Sequence, residues 1–151
     1  MTDKEFFYSS HEILIIGGTG SLGQIITKKV LQMKKNSCKK DLPKIGGIRI
    51  YSRDEYKQWL MRDQIKDKNI SYLIGDVRDL TRLSLAMKGV DIVINTAAMK
   101  QVPACEENPI EAIKTNIDGA ANVILAAVDN KVKNVMHIST DKAVYPVNLY
   151  L

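Results

Sequence analysis

The sequence predicts an α/β fold, in which a doubly wound parallel sheet of about five strands is covered by helices on both faces. Short apolar segments alternate with longer helical patterns along the chain, and this alternation is typical of a parallel sheet with crossover helices. The apolar segments are nearly continuous, as expected for strands that are buried on both faces. The first of them leads directly into the glycine-rich stretch "GGTGSLG".

Five segments have the composition and length of strands. The last of them is predicted to form an apolar edge without a further strand beside it. Exposed edges promote association, so we expect a homo-oligomer. The segments are "EILII" (residues 12–16), "GIRIYS" (47–52), "ISYLIG" (70–75), "DIVINTA" (91–97) and "KNVMHIS" (133–139).

Between these strands, apolar residues recur at helical spacing. A short helix is predicted over residues 80–87, and Pro109 suits the first turn of a long helix. Residues 34–47, "KKNSCKKDLPKIGG", are polar and contain proline and a glycine pair, so we predict a long surface loop there. The periodic apolar residues are Leu22, Ile25, Ile26, Val30 and Met33 in the first helix, Tyr56, Trp59 and Leu60 in the second, and Ile113, Ile117, Ala120, Ala121, Ile124 and Val128 in the long helix.

Length and composition exclude several classes of protein. A chain of 151 residues with 45% hydrophobic residues is long enough for one domain with a buried core. It has no apolar run near the ~20 residues of a membrane span and no secretory signal pattern. Cys38 and Cys105 form neither a CxxC pair nor a disulfide framework, and His11 and His137 do not suggest a zinc site. We therefore expect a reduced, cytoplasmic protein that binds neither membrane nor metal.

The net charge of +5 favours anionic partners. It has two interpretations, a nucleic-acid surface or a solvated basic face. No nucleic-acid-binding motif accompanies the charge, so we predict no nucleic-acid partner. A basic surface also suits small anionic ligands such as nucleotides.

The glycine-rich stretch has the spacing of a dinucleotide-binding turn. Gly18, Gly20 and Gly23 satisfy GxGxxG, and Gly17 in place of Gly18 gives GxxGxxG. Glycine is needed because the turn is tight, the backbone approaches a pyrophosphate, and the helix packs closely on the strand. The motif predicts an NAD(P)-binding Rossmann domain over residues 1–151, with strand order 3-2-1-4-5. Its predicted cofactor contacts are Gly17, Gly18, Thr19, Gly20, Ser21, Leu22 and Gly23.

The end of the second strand favours NADP over NAD. An NAD site usually has an acidic residue at this position, which binds the ribose 2′-hydroxyl. Here Ser52 and Arg53 occupy the position, and a hydroxyl with a guanidinium suits a 2′-phosphate. Asp54 follows one residue later and suits a helix cap.

Further candidate contacts follow the third and fourth strands. Asp76 and Val77 lie at a carboxyl end of the sheet, where ligands bind in such folds, and Asp76 suits the adenine amino group. A turn or helix cap is the alternative for these residues. After the fourth strand, Ala97 and Ala98 allow close approach of a cofactor, and Lys100 suits a phosphate or an ordinary exposed surface.

Six segments of the chain together resemble the extended short-chain dehydrogenase/reductase superfamily. Within it they look most like the inverting UDP-N-acetylglucosamine 4,6-dehydratases, over about residues 12–150 outside the 34–47 loop. "STDK" is the more selective motif, because dTDP-glucose dehydratases carry Asp–Glu where this chain has Asp141 and Lys142. The segments are "GGTGSLG", "YSRDE", "GDVRDLTRL", "NTAAMKQVP", "ENPIEAIKTNIDGAANVI" and "STDKAVYPVNLY".

The resemblance implies a reaction on a UDP-sugar. NADP+ takes a hydride from C4 of the sugar, water is lost across C5 and C6, and the hydride returns to C6 to give a 4-keto-6-deoxy sugar. In this family the protein supplies orientation and proton transfer, while the cofactor carries the hydride.

The resemblance also implies catalytic residues. Tyr150 matches the tyrosinate that removes the C4 hydroxyl proton, and Thr140 matches the residue that hydrogen-bonds the same hydroxyl. Asp141 and Lys142 match the acid and base of the elimination, in an order that the sequence leaves open; a solvated loop pair is the alternative. Asn116 matches an asparagine commonly placed inside the site, and we group it with the cofactor contacts.

The sequence departs from the family at Tyr150, because the lysine of Tyr-x-x-x-Lys falls beyond Leu151. We therefore expect a domain truncated on its C-terminal side, without the remaining strands or the substrate domain, and inactive alone. Two other functions stay open: a non-catalytic module that binds NADP or a protein, and an epimerase or reductase of the same superfamily. The Asp–Lys pair argues against the second, since epimerases perform no such elimination.

Overall fold

The computed structural model describes residues 10–36 and 44–140, and within them a single parallel sheet. Its strand order is β3-β2-β1-β4-β5, and every neighbouring pair is parallel. The predicted α/β class and strand order are therefore confirmed. The strands are β1 (Ser10–Ile16), β2 (Lys44–Ser52), β3 (Ile70–Ile74), β4 (Ile92–Asn95) and β5 (Asn134–His137).

Helices connect the strands, and two of them begin at acidic caps directly after a strand. The Asp54 carboxylate accepts a hydrogen bond from the Lys57 backbone N–H at 2.9 Å, and Asp79 accepts one from the Arg82 N–H at 2.8 Å. A π-helical turn, Lys114–Asp118, separates the last two helices. The helices are α1 (Ser21–Asn36), α2 (Glu55–Ile65), α3 (Leu80–Met87), α4 (Val102–Glu107), α5 (Pro109–Ile113) and α6 (Gly119–Asp129).

Apolar side chains form a core on each face of the sheet, because alternate residues of β1 point to opposite faces. On one face, Leu14 and Ile16 pack with α3 and α6; on the other, Ile13 and Ile15 pack with α1 and α2. Full burial of a side chain of this size contributes about 1.5–3 kcal/mol. The sheet is thus doubly wound, with an apolar core on each face.

The structure differs from the predicted 34–47 loop at both ends. Helix α1 continues to Asn36 and β2 already begins at Lys44. Lys34 and Lys35 lie in the last helical turn, where positive charge is favourable beside the helix dipole. Lys34 also donates a hydrogen bond to the Gly46 carbonyl oxygen. Only residues 37–43 of the predicted loop remain, and they lie outside the described residues.

The long helix differs more, because the predicted apolar face is not the buried one. Ile124 and Val128 are 58% and 71% exposed, whereas Val123 and Ala126 are fully buried. The buried face carries small residues, which let the helix approach the sheet: a Cβ added at Gly119 would lie 2.8 Å from Cγ1 of Val77. Both faces of α6 are apolar, so periodicity alone does not identify the buried one.

Two expected absences apply to the described residues alone. Within residues 10–36 and 44–140, no helix combines the length and the apolar character needed to cross a membrane. Over the same ranges, no group of three or more His, Cys, Asp or Glu is placed to hold a metal ion.

Candidate functional site

A cavity of about 330 Å³ opens at the C-terminal ends of β1 to β4. This is the edge of the sheet where open α/β folds bind ligands. The residues that line it come from the glycine turn, the ends of four strands and the π-helical turn. They are Ile16, Gly17, Thr19, Gly20, Tyr51, Ser52, Arg53, Asp54, Lys57, Gly75, Asp76, Val77, Thr96, Ala97, Ala98, Lys100 and Thr115.

The glycines of the turn have different structural roles. Gly17 has φ +74°, and a Cβ there would lie 2.8 Å from the backbone nitrogen of Ala97. A Cβ at Gly18 would meet Ile50 of β2 at 2.8 Å, so Gly18 faces the core instead of the cavity. Gly23 brings α1 against the turn, since a Cβ there would lie 2.6 Å from the Gly17 carbonyl oxygen. Gly17 and Gly20 line the cavity, while Gly18 and Gly23 shape it.

Ser52 is buried at the end of β2, and its hydroxyl is oriented by a glutamine. Gln58 Nε2 donates to Ser52 Oγ at 3.0 Å and to the Leu73 carbonyl oxygen at 2.9 Å. Because the serine oxygen accepts this bond, its own O–H remains as a donor toward the cavity. Ser52 is thus suited to an anionic acceptor such as a phosphate oxygen.

Arg53 and Lys57 bring two cations to the cavity, and each lies near a different carboxylate. The Lys57 ammonium lies 3.3 Å from Asp54 Oδ2, and the hydrogen bond from the Lys57 backbone N–H holds the pKa of Asp54 below its ordinary value. Arg53 is 3.8 Å from Asp76 Oδ2, and its side chain is 60% exposed. Exposed pairs at such distances contribute little, so the guanidinium can turn to a ligand at small cost.

Asp76 is held in place by Arg78. The Arg78 Nη2 atom donates to Asp76 Oδ2 at 2.7 Å, and the Arg78 backbone N–H donates to Oδ1 at 2.9 Å. Burial raises the pKa of Asp76, but these hydrogen bonds outweigh that effect and keep the pKa below its ordinary value. Arg78 also pairs with Glu111 at the edge of α5. Asp76 therefore stays ionised and fixed beside the cavity.

The floor of the cavity near Asp76 is built from Tyr51 and Gly75. The Tyr51 hydroxyl donates to the Asp76 carbonyl oxygen at 2.8 Å, and burial raises the pKa of Tyr51 well above its usual range. A Cβ at Gly75 would lie 2.3 Å from the Tyr51 hydroxyl oxygen, so only glycine fits there. The glycine of the "GD" pair after β3 is thus needed for packing.

Asn116 holds the segment that follows β4 through two hydrogen bonds. Its Oδ1 accepts from the Met99 backbone N–H at 2.8 Å, and its Nδ2 donates to the Met99 carbonyl oxygen at 3.0 Å. Both hydrogen-bonding groups of one backbone residue are therefore held by one side chain. Asn116 does not line the cavity itself, but it positions Ala97, Ala98 and Lys100, which do.

The neighbouring Thr115 has a buried hydroxyl that none of the described residues satisfies. The residue is 6% exposed and lines the cavity. Its Oγ1 atom has no hydrogen-bond partner among the described residues. A buried polar group without a partner costs about 1–3 kcal/mol, and such groups are rare enough to require an explanation. A ligand or ordered water that reaches Oγ1 in the cavity would supply the missing bond.

The remaining predicted residues are separate from this cavity or undescribed. Ser21 and Leu22 are exposed at the start of α1 and do not line it. Thr140 is exposed beyond β5. Asp141, Lys142 and Tyr150 lie outside the described residues. Ten of the predicted cofactor contacts do line it: Gly17, Thr19, Gly20, Ser52, Arg53, Asp76, Val77, Ala97, Ala98 and Lys100.

The predicted contacts omit seven lining residues, which are Ile16, Tyr51, Asp54, Lys57, Gly75, Thr96 and Thr115. Lys57 follows the expected cap Asp54 by three residues, so its position in the first turn of α2 could have been inferred from the sequence. Thr96 follows the last residue of β4, and its hydroxyl donates to the Ile16 carbonyl oxygen at 2.8 Å. Thr115 had no sequence signal, because a π-helical turn places it. Such turns often occur at functional sites.

A family described as "polysaccharide biosynthesis protein" matches residues 13–150 of the chain. Over 143 residues the chain is 51% identical to the UDP-N-acetylglucosamine 4,6-dehydratase (inverting) of Campylobacter jejuni, covering 95% of this chain and 40% of that protein. It is 53% identical to a UDP-glucose 4-epimerase of Rickettsia bellii, covering 90% of this chain and 38% of that protein. The chain thus spans about two fifths of the length of these relatives.

Solved structures give the same picture. Pen from Bacillus thuringiensis superimposes with a TM-score of 0.84 at 46% identity, covering 96% of this chain and 41% of that one. DesIV, a dTDP-glucose 4,6-dehydratase from Streptomyces venezuelae solved with NAD bound, gives a TM-score of 0.74 at 23% identity, covering 87% of this chain and 40% of that one. At 23% identity, the similarity to DesIV shows the fold alone.

Proposed function

This chain belongs to the polysaccharide biosynthesis protein family, and on that basis we propose that it is the nucleotide-binding portion of a nucleotide-sugar 4,6-dehydratase. The observation that carries the proposal is the cavity at the C-terminal ends of β1 to β4, in which a glycine turn, two cations and an oriented serine hydroxyl converge. The 51% identity to a UDP-N-acetylglucosamine 4,6-dehydratase supports the reaction class.

The cavity suits a nicotinamide dinucleotide. Gly17 and Gly20 line the cavity. They keep the turn tight, because added Cβ atoms there would crowd backbone atoms, and a tight glycine turn lets a pyrophosphate approach the backbone. The N-terminus of α1 follows directly and offers free N–H groups and a positive dipole end to that anion. When bound, such a cofactor supplies the hydride acceptor for oxidation of the sugar. The residues of this chain bind and orient it and exclude water.

We further propose NADP as the preferred cofactor. Ser52 has a free O–H donor, and Arg53 and Lys57 bring two positive charges to the end of β2. A 2′-phosphate accepts bonds from all three groups, whereas the 2′-hydroxyl of NAD pairs better with an unengaged carboxylate. Among the described residues, Asp54 already caps α2 and pairs with Lys57, and Asp76 is already bonded to Arg78.

Calorimetric titration with NADP+ and NAD+ tests both proposals on the chain as given. We expect NADP+ to bind with 1:1 stoichiometry and at least ~10-fold more tightly than NAD+, since one charge-assisted hydrogen bond contributes about 1.5–3 kcal/mol. Tighter binding of NAD+ would refute the cofactor choice alone. Absence of binding by both dinucleotides would refute the nucleotide-binding function.

The activity of the whole protein rests on four residues at the end of the chain. We propose Tyr150 and Thr140 for the C4 hydroxyl, and Asp141 with Lys142 for the elimination, on a UDP-sugar. The similarity to a UDP-glucose 4-epimerase favours a second candidate reaction. Product analysis with UDP-N-acetylglucosamine and the protein containing this domain discriminates them, because a dehydratase yields a 4-keto-6-deoxy sugar and an epimerase yields the C4 epimer.

Replacing Thr115 with valine is expected to weaken NADP+ binding while leaving the cofactor-free chain as stable as before or more stable. Valine has the same shape but no hydroxyl, so the change removes an unsatisfied buried group from the apo state. It also removes a hydrogen bond from the complex, which we expect to lower the affinity ~5- to 10-fold. Isothermal titration and urea unfolding measure the two effects. Thr81→Val on the exposed face of α3 is the matched control.

A further inference from the structure

A second groove lies between α2 and β3, at the edge of the sheet. It is distinct from the nucleotide cavity, with which it shares no lining residue. Three of its apolar side chains are largely exposed: Tyr56 at 64%, Trp59 at 60% and Ile74 at 51%. Such a cluster on a protein surface indicates an interaction site. The groove is lined by Glu55, Tyr56, Gln58, Trp59, Arg62, Tyr72 and Ile74.

The walls of this groove are held rigidly. The rings of Tyr56 and Trp59 are stacked, with centroids 5.9 Å apart and planes 19° from parallel. The Arg62 guanidinium lies 4.9 Å from the centre of the Tyr72 ring, in a cation–π contact. Helix and strand are joined by the hydrogen bond from Gln58 to the β3 backbone. Because these contacts already restrict the side chains, a partner that binds them loses less conformational entropy.

The hydrogen bonds of β3 show which of its residues face outward. The Gly75 N–H donates to the Ser52 carbonyl oxygen, and the Asn69 carbonyl oxygen accepts from the Ile48 N–H. Odd-numbered residues therefore turn their backbone groups toward β2. Because alternate residues of a strand turn these groups to opposite sides, Ile70, Tyr72 and Ile74 turn theirs away from the sheet.

Two of these outward groups are already satisfied, and they lie at the two ends of the strand. The Ile70 N–H donates to the Asp67 carbonyl oxygen at 3.2 Å, and the Ile74 carbonyl oxygen accepts from Arg82 Nε at 2.8 Å. No residue in the described ranges bonds the Ile70 carbonyl oxygen, the Ile74 N–H or either backbone group of Tyr72, so these groups are available to a new strand. These open groups match those of an identical antiparallel strand centred on Tyr72. In such a pair, Ile74 of each strand lies opposite Ile70 of the other.

We propose that β3 pairs with β3 of a second copy of this chain, antiparallel and with Tyr72 on the two-fold axis. Tyr72 then exchanges both of its backbone hydrogen bonds with Tyr72 of the other copy. On each side of the axis the Ile74 N–H donates to the Ile70 carbonyl oxygen. This register uses the outward groups of β3 that no described residue satisfies, and it does not need the Ile70 N–H or the Ile74 carbonyl oxygen, which are already bonded.

The position and charges of α2 also fit a second copy of this chain as the partner. Neighbouring strands lie about 4.8 Å apart and packed helices about 8–10 Å apart, so the two α2 helices come side by side over the joined strands. They run antiparallel, which brings the first turn of one, with Glu55, near the last turn of the other, with Arg62. Opposite charges thus meet at both ends, while Tyr56, Trp59 and Ile74 become buried between the copies.

Sedimentation velocity over a range of concentrations tests this interface on the 151-residue chain. We expect a reversible dimer whose dissociation constant rises at least ~10-fold in Ile74→Lys and in Trp59→Lys, because each places a charge in the joined edge. Ile25→Lys on α1, where the isoleucine is 57% exposed, is the matched control and is expected to leave the dimer unchanged. Circular dichroism checks that each variant is folded.

A charge exchange provides the second, independent measurement. Glu55→Lys alone and Arg62→Glu alone place like charges at both ends of the helix pair and are expected to weaken the homodimer. An equimolar mixture of the two variants is expected to restore dimers as heterodimers. A wild-type chain that stays monomeric would overturn the proposal. So would a dimer unaffected by Ile74→Lys, a mixture that fails to associate, or a dimer that instead dissociates on Val135→Lys in β5.

Discussion

Replacing Arg53 and Lys57 together with alanine is expected to weaken NADP+ binding by about 100-fold or more, while the affinity for NAD+ changes by less than about threefold. Each cation contributes a charge-assisted hydrogen bond worth about 1.5–3 kcal/mol, and about 1.4 kcal/mol corresponds to tenfold in affinity. Both side chains line the cavity at the end of β2. NAD+ has no 2′-phosphate, so it loses little. Parallel calorimetric titrations measure the ratio.

The control for this variant must remove the same charge elsewhere. Lys28 and Lys29 are exposed on α1 and do not line the cavity. Their double alanine variant lowers the net charge equally, so it reports any general effect of charge on anion binding. An unchanged NADP+ affinity in the Arg53 and Lys57 variant, or an equal loss in the control, would contradict the assignment of these two cations.

Gly23→Ala is expected to destabilise the chain by about 1–2 kcal/mol and to abolish dinucleotide binding. A Cβ at this position would lie 2.6 Å from the Gly17 carbonyl oxygen and from Gly18 Cα. Both are backbone atoms of the turn, so helix and turn must separate, and overpacking of this kind costs about 1–3 kcal/mol. Alanine in place of glycine within a helix would otherwise stabilise it by about 1 kcal/mol. The expected change in stability is therefore a loss, whereas helix propensity alone would predict a gain.

Urea unfolding measures this effect, and Gly46→Ala is its matched control. A Cβ at Gly46 would meet Glu12 Oε1 at 2.8 Å and Ser10 Oγ at 2.9 Å. These are ends of side chains that can rotate away, so we expect a cost below about 1 kcal/mol. If Gly23→Ala were as stable as the wild type, the close packing of α1 on the turn would be refuted.

The sheet could be predicted from the sequence because its signals are local and agree with one another. The strands are continuous apolar runs, and the glycine turn between β1 and α1 permits few topologies. The buried face of α6 could not be predicted, since Val123 and Val128 are equally apolar and only the packed structure separates them. The predicted stripe of larger residues is the exposed one, because small residues are needed where the helix crosses Val77.

The candidate site also contains residues that could be predicted from the sequence and residues that could not. Residues directly after strands, such as Ser52, Arg53 and Asp76, could be predicted because parallel strands end at one edge of the sheet. Lys57 depends on where α2 begins, so its position required the cap geometry of Asp54. Thr115 depends on a helical irregularity for which no composition is diagnostic. Asn116 was predicted as a site residue, and the structure adds that it acts through the backbone of Met99.

The π-helical turn over Lys114–Asp118 is equivalent to a single extra residue inside an otherwise continuous helix. The flanking helices α5 and α6 keep ordinary α geometry, so the insertion is absorbed locally. Deleting one residue here would restore a regular helix without changing the phase of Val123 and Ala126. What would be lost is the displaced backbone that brings Thr115 into the cavity. A gain or loss of one codon can thus add or remove a polar group at the cavity while the hydrophobic core stays intact.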